Sequence, residues 1–136
     1  MAPLVSVVED DLSVRRSLDR LIRSARLDIS VFASAEEFLD SEHPRKVDCL
    51  ILDVCLPGMS GVELHRHLLA SSCNIPVIFI TGNGFDDRTR SEAASDWTVA
   101  YFRKPFGGDE LLDAVHMALK WKPGNQETIH QGDPHE

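Results

Sequence analysis

Five polar residues stand just beyond short apolar runs: Glu9 and Asp10 after residues 4–8, Asp53 after 49–52, Thr81 after 76–80 and Lys104 after 98–102. Three carboxylates brought to one place repel one another unless a cation sits among them. Magnesium, a hard ion that takes one or two carboxylates together with water and phosphate oxygens, meets that need. A lysine ammonium and a threonine hydroxyl beside the same spot are donors suited to phosphoryl oxygens. The chemistry this set predicts is nucleophilic: Asp53 attacks phosphorus and becomes an aspartyl phosphate. Taken singly, each residue has a plainer explanation, since Asp10 could cap a helix, Thr81 be a loop hydroxyl and Lys104 a solvated amine. It is their recurrence at the ends of successive runs that favours a site.

For the five to meet, the runs must lie side by side. The run entering Asp53, bounded by Pro57-Gly58 and Ser60-Gly61, reads as a strand buried on both faces. Four others start near residues 4, 29, 76 and 98, and a helical segment follows each of the five. After the first run, Val14, Leu18, Leu21, Ile22 and Ala25 recur on one helical face. Arg16, Asp19, Arg20 and Arg23 occupy the other, either a solvated surface or a docking face for an acidic partner. Asp11 or Ser13 can cap that helix, Ser34 and Ser60 have capping-box spacing to Glu37 and Glu63, and Asp109 is placed to cap the last helix. Residues 85–97 carry little apolar face beyond Ala93 and Ala94, which puts this helix at the low-stability end of the fold. Such alternation implies an α/β doubly wound domain of the flavodoxin-like type. Its expected form is a five-stranded parallel sheet, order 2-1-3-4-5, with helices on both faces. Ligands of such sheets bind beyond the carboxyl ends of the strands, where strands one, three, four and five would be contiguous.

Size and charge narrow the field. A chain of 136 residues, 43% hydrophobic, can bury the core of one domain without staples. Residues 1–120 are expected to form it, and 121–136 a frayed polar tail. A formal charge of −8 argues against nucleic acid as a direct partner. No apolar run has membrane-spanning length and the first residues lack a signal peptide's pattern, so a cytoplasmic protein is expected. The odd set Cys49, Cys55 and Cys73 fits a reducing compartment better than a disulfide or zinc framework. His65 and His67, two apart on a helix, make a poor metal pair. His116 reads as a helix-surface residue, and His130 and His135 fall in the tail.

Four blocks carry a resemblance. Val8-Glu9-Asp10-Asp11-Leu12-Ser13-Val14-Arg15, then Leu52-Asp53-Val54-Cys55-Leu56-Pro57-Gly58-Met59-Ser60-Gly61, then Ile80-Thr81-Gly82 and Lys104-Pro105-Phe106 occur in order. Together they make the chain, from Leu4 to about Leu119, resemble the receiver domain of two-component response regulators. Within that family it is most similar to receivers of the FixJ type, usually fused to a DNA-binding helix-turn-helix domain. The resemblance implies that Asp53 accepts a phosphoryl group from a sensor histidine kinase or phosphotransfer protein. It implies magnesium ligation by Asp10, Asp53 and the backbone carbonyl of Cys55, with Glu9 acting through water. Lys104, beside a cis Lys104-Pro105 bond, would pair with the phosphoryl oxygens, and Thr81 would bond to them. Tyr101 would be the aromatic switch behind Thr81, although an aromatic in a strand is more often simple packing. The surface that switches would span residues 85–105, and the basic helix face would dock the kinase.

Three departures from the pattern stand out: Glu9 where aspartate is commoner, Ser95-Asp96-Trp97 with one apparent insertion, and Cys55 at a position that tunes phosphate lifetime. The insertion bears on where the fourth helix ends. An aspartate-nucleophile phosphatase is the main enzymatic alternative, but such enzymes typically need an acid–base carboxylate where Cys55 stands. A signalling domain that catalyses only its own phosphorylation and dephosphorylation fits better. A pseudo-receiver that binds partners without phosphorylation, the receiver fragment of a DNA-binding regulator and a phosphorylation-dependent homodimer stay open, as does the downstream protein.

Overall fold

The computed structural model describes residues 2–41, 44–82, 85–124 and 127–131. Strands and helices alternate along it: β1 (Leu4–Val8), α1 (Leu12–Ser24), β2 (Asp28–Phe32), α2 (Ala35–Asp40), β3 (Cys49–Asp53), α3 (Gly61–Ala70), β4 (Val77–Thr81), α4 (Asp87–Ala93), β5 (Thr98–Arg103), α5 (Gly108–Ala118) and β6 (Ile129–Gln131). All pairings are parallel, in the order β2-β1-β3-β4-β5-β6. The expected doubly wound order 2-1-3-4-5 is present. The count of five strands is corrected to six, because part of the segment read as a polar tail pairs with β5. Three residues are too few to show a period, so only the backbone partner reveals that strand. Asn83 and Gly84 of the loop after β4, and His135, lie outside the described residues.

Local signals set the helix starts. Asp11, not Ser13, caps α1 by accepting from the Val14 N–H at 3.1 Å. Ser34 caps α2, and Ser60 and Glu63 exchange both bonds of a capping box at the head of α3. Each such cap is worth about 1 kcal/mol. At α5 the expectation fails: Gly107 is the cap residue without a side-chain bond, and Asp109 sits in the first turn, where its charge meets the positive helix end. Helix α4 is shorter than the expected 85–97 and buries only Ala93, consistent with its poor apolar face.

Alternation along the strands divides the core. Cys49, Ile51, Ile78, Ile80 and Phe102 face α1 and α5, whereas Leu50, Leu52, Val77, Phe79 and Tyr101 face α2, α3 and α4. Between β4 and β5 the register slips: Val77 pairs with Thr98 but Ile78 pairs with Ala100, so β5 carries one extra residue. This extra residue stands just after residues 95–97, where the family pattern leads one to expect an insertion. At this amino edge of the sheet Trp121 donates its indole N–H to the Asp96 carbonyl at 2.7 Å, fastening the end of α5.

His65 turns out to be a core residue. It is 1% exposed, packs edge-on to Phe79 and bonds to the Ser95 hydroxyl at 2.9 Å, tying α3 to the connection before β5. Burial, with a smaller push from Arg66, lowers its pKa from 6.5 to about 4. Between those values the unfolded chain holds the proton and the folded chain does not. Its contribution to stability is thus complete above pH 6.5 and drains as pH falls toward 4. We expect the wild type to lose about 2 kcal/mol more than His65→Gln between pH 7 and pH 5. Urea midpoints at the two pH values check this, and parallel losses would refute it.

Candidate functional site

The carboxyl ends of β1, β3, β4 and β5 deliver the predicted residues to one crevice. Glu9 and Asp10 follow β1, Asp53 and Thr81 close β3 and β4, and Lys104 follows β5. Carboxylate oxygens of Glu9, Asp10 and Asp53 lie within 4.8 Å of one another. Asp53 is 3% exposed, and both of its oxygens are engaged: Oδ1 accepts from the Cys55 N–H at 3.0 Å and Oδ2 from Lys104 Nζ at 3.1 Å. Lys104 Nζ also lies 2.5 Å from Glu9 Oε1, an ion pair that lacks hydrogen-bond alignment. Glu9 Oε2 accepts from the Asp11 N–H at 3.0 Å. Asp10, by contrast, is exposed.

These contacts set the charges. Burial pushes Glu9 from 4.5 up to about 7, against the pull of Lys104 and the Asp11 N–H, and nearby Asp53 adds to the rise. Burial alone would lower Lys104, but its bonds to Glu9 and Asp53 outweigh that and raise it. One ammonium faces three carboxylates, two of them buried. A further hard cation suits this donor set, because oxygens of three carboxylates converge on a spot that a single ammonium serves.

Thr81 is 1% exposed, and its carbonyl accepts from the Lys104 N–H at 2.8 Å, so β4 and β5 leave the sheet together. The Lys104-Pro105 bond is cis, as the resemblance implies. Tyr101 does not reach the crevice. It lies two residues before Arg103, the partner of Thr81, and is 3% exposed between Phe79 and His130.

Sequence reasoning gave no role to two residues that hold the site's backbone. Arg15 donates from Nη1 to the carbonyls of Glu9 (2.8 Å) and Asp10 (3.0 Å), clamping the acidic turn; it stands inside the first acidic block, which was the available signal. Glu36, on α2, accepts from the Met59 N–H at 2.9 Å and thereby tethers the loop after β3. Nothing in the local pattern announces that contact, which joins residues 23 apart. The arginines of α1 (Arg16, Arg20 and Arg23) are exposed along the helix that leads away from this crevice, Arg23 in its last turn and paired to Asp19 at 2.7 Å.

Residues 5–116 match the model of the response regulator receiver domain. Nodulation protein W of Bradyrhizobium diazoefficiens is 47% identical over 117 residues, 86% of this chain and 51% of that protein. The response regulator protein TodT of Pseudomonas putida is 39% identical over 122 residues, 90% of this chain and 53% of that one. The chain thus spans about half the length of the curated relatives it matches. Among solved structures, the response regulator StyR superposes with a TM-score of 0.77 at 40% identity, covering 88% of this chain and 60% of that one. FixJ-N does so with a TM-score of 0.76 at 34% identity, covering 88% and 95%.

Gly61 makes the packing behind Asp53 testable. A Cβ there would stand 2.1 Å from the Asp53 carbonyl oxygen, backbone that cannot swing aside. Gly61→Ala should cost roughly 3 kcal/mol, the upper range for overpacking. Gly82, with nothing within 4 Å of its Cβ position, should accept alanine within about 0.5 kcal/mol. Denaturant titration of both variants decides, and equal effects would contradict the geometry.

Proposed function

The chain belongs to the receiver-domain family of two-component response regulators, and we propose that Asp53 is the residue that carries its phosphoryl group. The observation that supports this most is Asp53 itself, a buried carboxylate gripped by Lys104 and the Cys55 N–H beside two further carboxylates. An Asp53 oxygen bonds to phosphorus while the P–N bond of a donor phosphohistidine breaks, and the electron pair returns to the imidazole, which takes up a proton. Asp10, Asp53 and the Cys55 carbonyl would hold Mg²⁺, with Glu9 joining through water. When bound, the ion neutralises charge on the phosphoryl oxygens.

The chain's own groups do the rest. Lys104 moves its bond from the carboxylates to a phosphoryl oxygen, and the Thr81 hydroxyl closes on another. Tyr101 then follows the space that Thr81 vacates, altering the surface of residues 85–105. Moving a two-state domain from 1:99 to 99:1 takes about 5.5 kcal/mol. Two or three charge-assisted bonds, each about 1.5–3 kcal/mol and formed only in the phosphorylated state, suffice. The donor is a histidine kinase or phosphotransfer protein that docks against the α1 arginines. The response goes to a downstream protein or a second copy, and the setting is cytoplasmic.

No carboxylate stands two residues past Asp53, so the acyl phosphate should persist rather than turn over on external phosphoesters. Incubation with acetyl phosphate and magnesium should add one phosphoryl group by intact mass. Asp53→Asn or a chelator should abolish the addition, and Lys104→Ala should slow it on the order of 10²-fold. A pseudo-receiver would show no addition; a phosphatase would release phosphate from added phosphoesters.

A further inference from the structure

Strand β6 lies where the sheet would otherwise end. Ile129, His130 and Gln131 pair with Ala100, Tyr101 and Phe102, and the Thr128 hydroxyl donates to the Thr98 carbonyl at 2.7 Å. Its placement aligns three rings across three strands. Phe79 of β4 stacks on Tyr101 at 5.8 Å and 15°, and Tyr101 stacks on His130 at 5.0 Å and 20°. Arg90 of α4 closes the arrangement: its guanidinium meets His130 Nδ1, its carbon lies 5.6 Å from the Tyr101 ring centre, and its carbonyl accepts from the Tyr101 hydroxyl at 3.4 Å. Tyr101 is therefore enclosed by a three-residue strand at the edge of the sheet, whose Ile129 packs against the core on the opposite face.

That strand is held by little. It has three residue pairs, and Thr128, Ile129 and His130 are each only half-buried. Elements with so few contacts open locally at low cost. The seat of its His130 side chain consists of Tyr101 and Arg90, on β5 and α4, the elements next to Thr81, while Ile129 packs on the opposite face of the sheet.

We propose that residues 127–131 are a displaceable cover over the β5 edge, seated on Tyr101 and Arg90, which phosphorylation of Asp53 releases. The proposal rests on Asp53 being the phosphoacceptor and Tyr101 the residue that responds. Thr81 lies two residues beyond Phe79 on β4, and its partner Arg103 lies two beyond Tyr101 on β5. A shift of Thr81 toward the phosphoryl group is thus felt one pleat away, at the Phe79–Tyr101 stack. Once the Tyr101 ring leaves that stack, His130 loses its aromatic partner. Coupling of this kind is reciprocal, so loosening the cover also favours the phosphorylated state.

Hydrogen exchange of the full chain, read by mass spectrometry with phosphoryl content measured on the same sample, tests this. The β6 amides that bond to β5 should be protected without phosphodonor and exchange roughly tenfold faster after acetyl phosphate and magnesium. His130→Ala should exchange fast in both states, keep its protection in β1 and β3, and reach a higher phosphorylated fraction than wild type. Phosphoryl uptake with unchanged exchange in 128–131 would overturn the cover while leaving the phosphoacceptor in place. So would a His130→Ala protein as protected there as wild type. Absence of uptake would remove both readings together.

Discussion

Lys104 holds the structure's least comfortable group of charges together. Its ammonium lies between Glu9, wholly buried, and Asp53, nearly so, at the point where four strands run out. Removing two charges from water costs several kcal/mol each unless they are well paired, and here one cation serves both carboxylates with Asp10 close by. The strain appears as a Glu9 carboxyl that titrates near neutrality, at about 7. A site so short of positive charge favours any ligand that brings a cation. A phosphoryl group arriving there would add roughly −1.5 to −2 further charges, which makes the need for a cation greater. Strand order, the Arg15 clamp and the Glu36 tether all serve to keep these groups at fixed distances despite their repulsion.

Much of this was legible in the residues. The parallel order follows from alternating apolar runs and helical periods, and the site follows from what each run leaves at its carboxyl end. The capping signals at Asp11, Ser34 and Ser60 are local, so spacing alone finds them. What escaped was non-local or backbone-borne. β6 depends on pairing with a strand some 30 residues earlier rather than on its own pattern. Glu36 and His65 act through partners 23 and 30 residues away. Asp109 carried a capping residue's identity, but the helix begins at Gly108, one residue too early for it to serve.

The two sides of the sheet are built differently. Against α1 and α5 lies a layer of mostly aliphatic side chains, joined by Phe102, that ends on Trp121. On the other side α3 brings leucines, but α4 contributes one buried alanine, and Phe79, Tyr101 and Phe85 pack together near it. The Phe79–Tyr101 stack thus lies one pleat from Thr81, on the same side of the sheet. His65, edge-on to Phe79 and bonded to Ser95, lies on this same side.

The position of the tryptophans has a practical corollary. Trp97 and Trp121 both belong to the amino edge of the sheet: the Trp97 carbonyl accepts from Val77 at the start of β4, and the Trp121 indole bonds beside it to Asp96. The acidic crevice opens at the opposite edge. Intrinsic fluorescence of this protein consequently reports whether the end of α5 is docked. Neither tryptophan stands at the far rim, so an optical signal from the crevice itself calls for a label placed there.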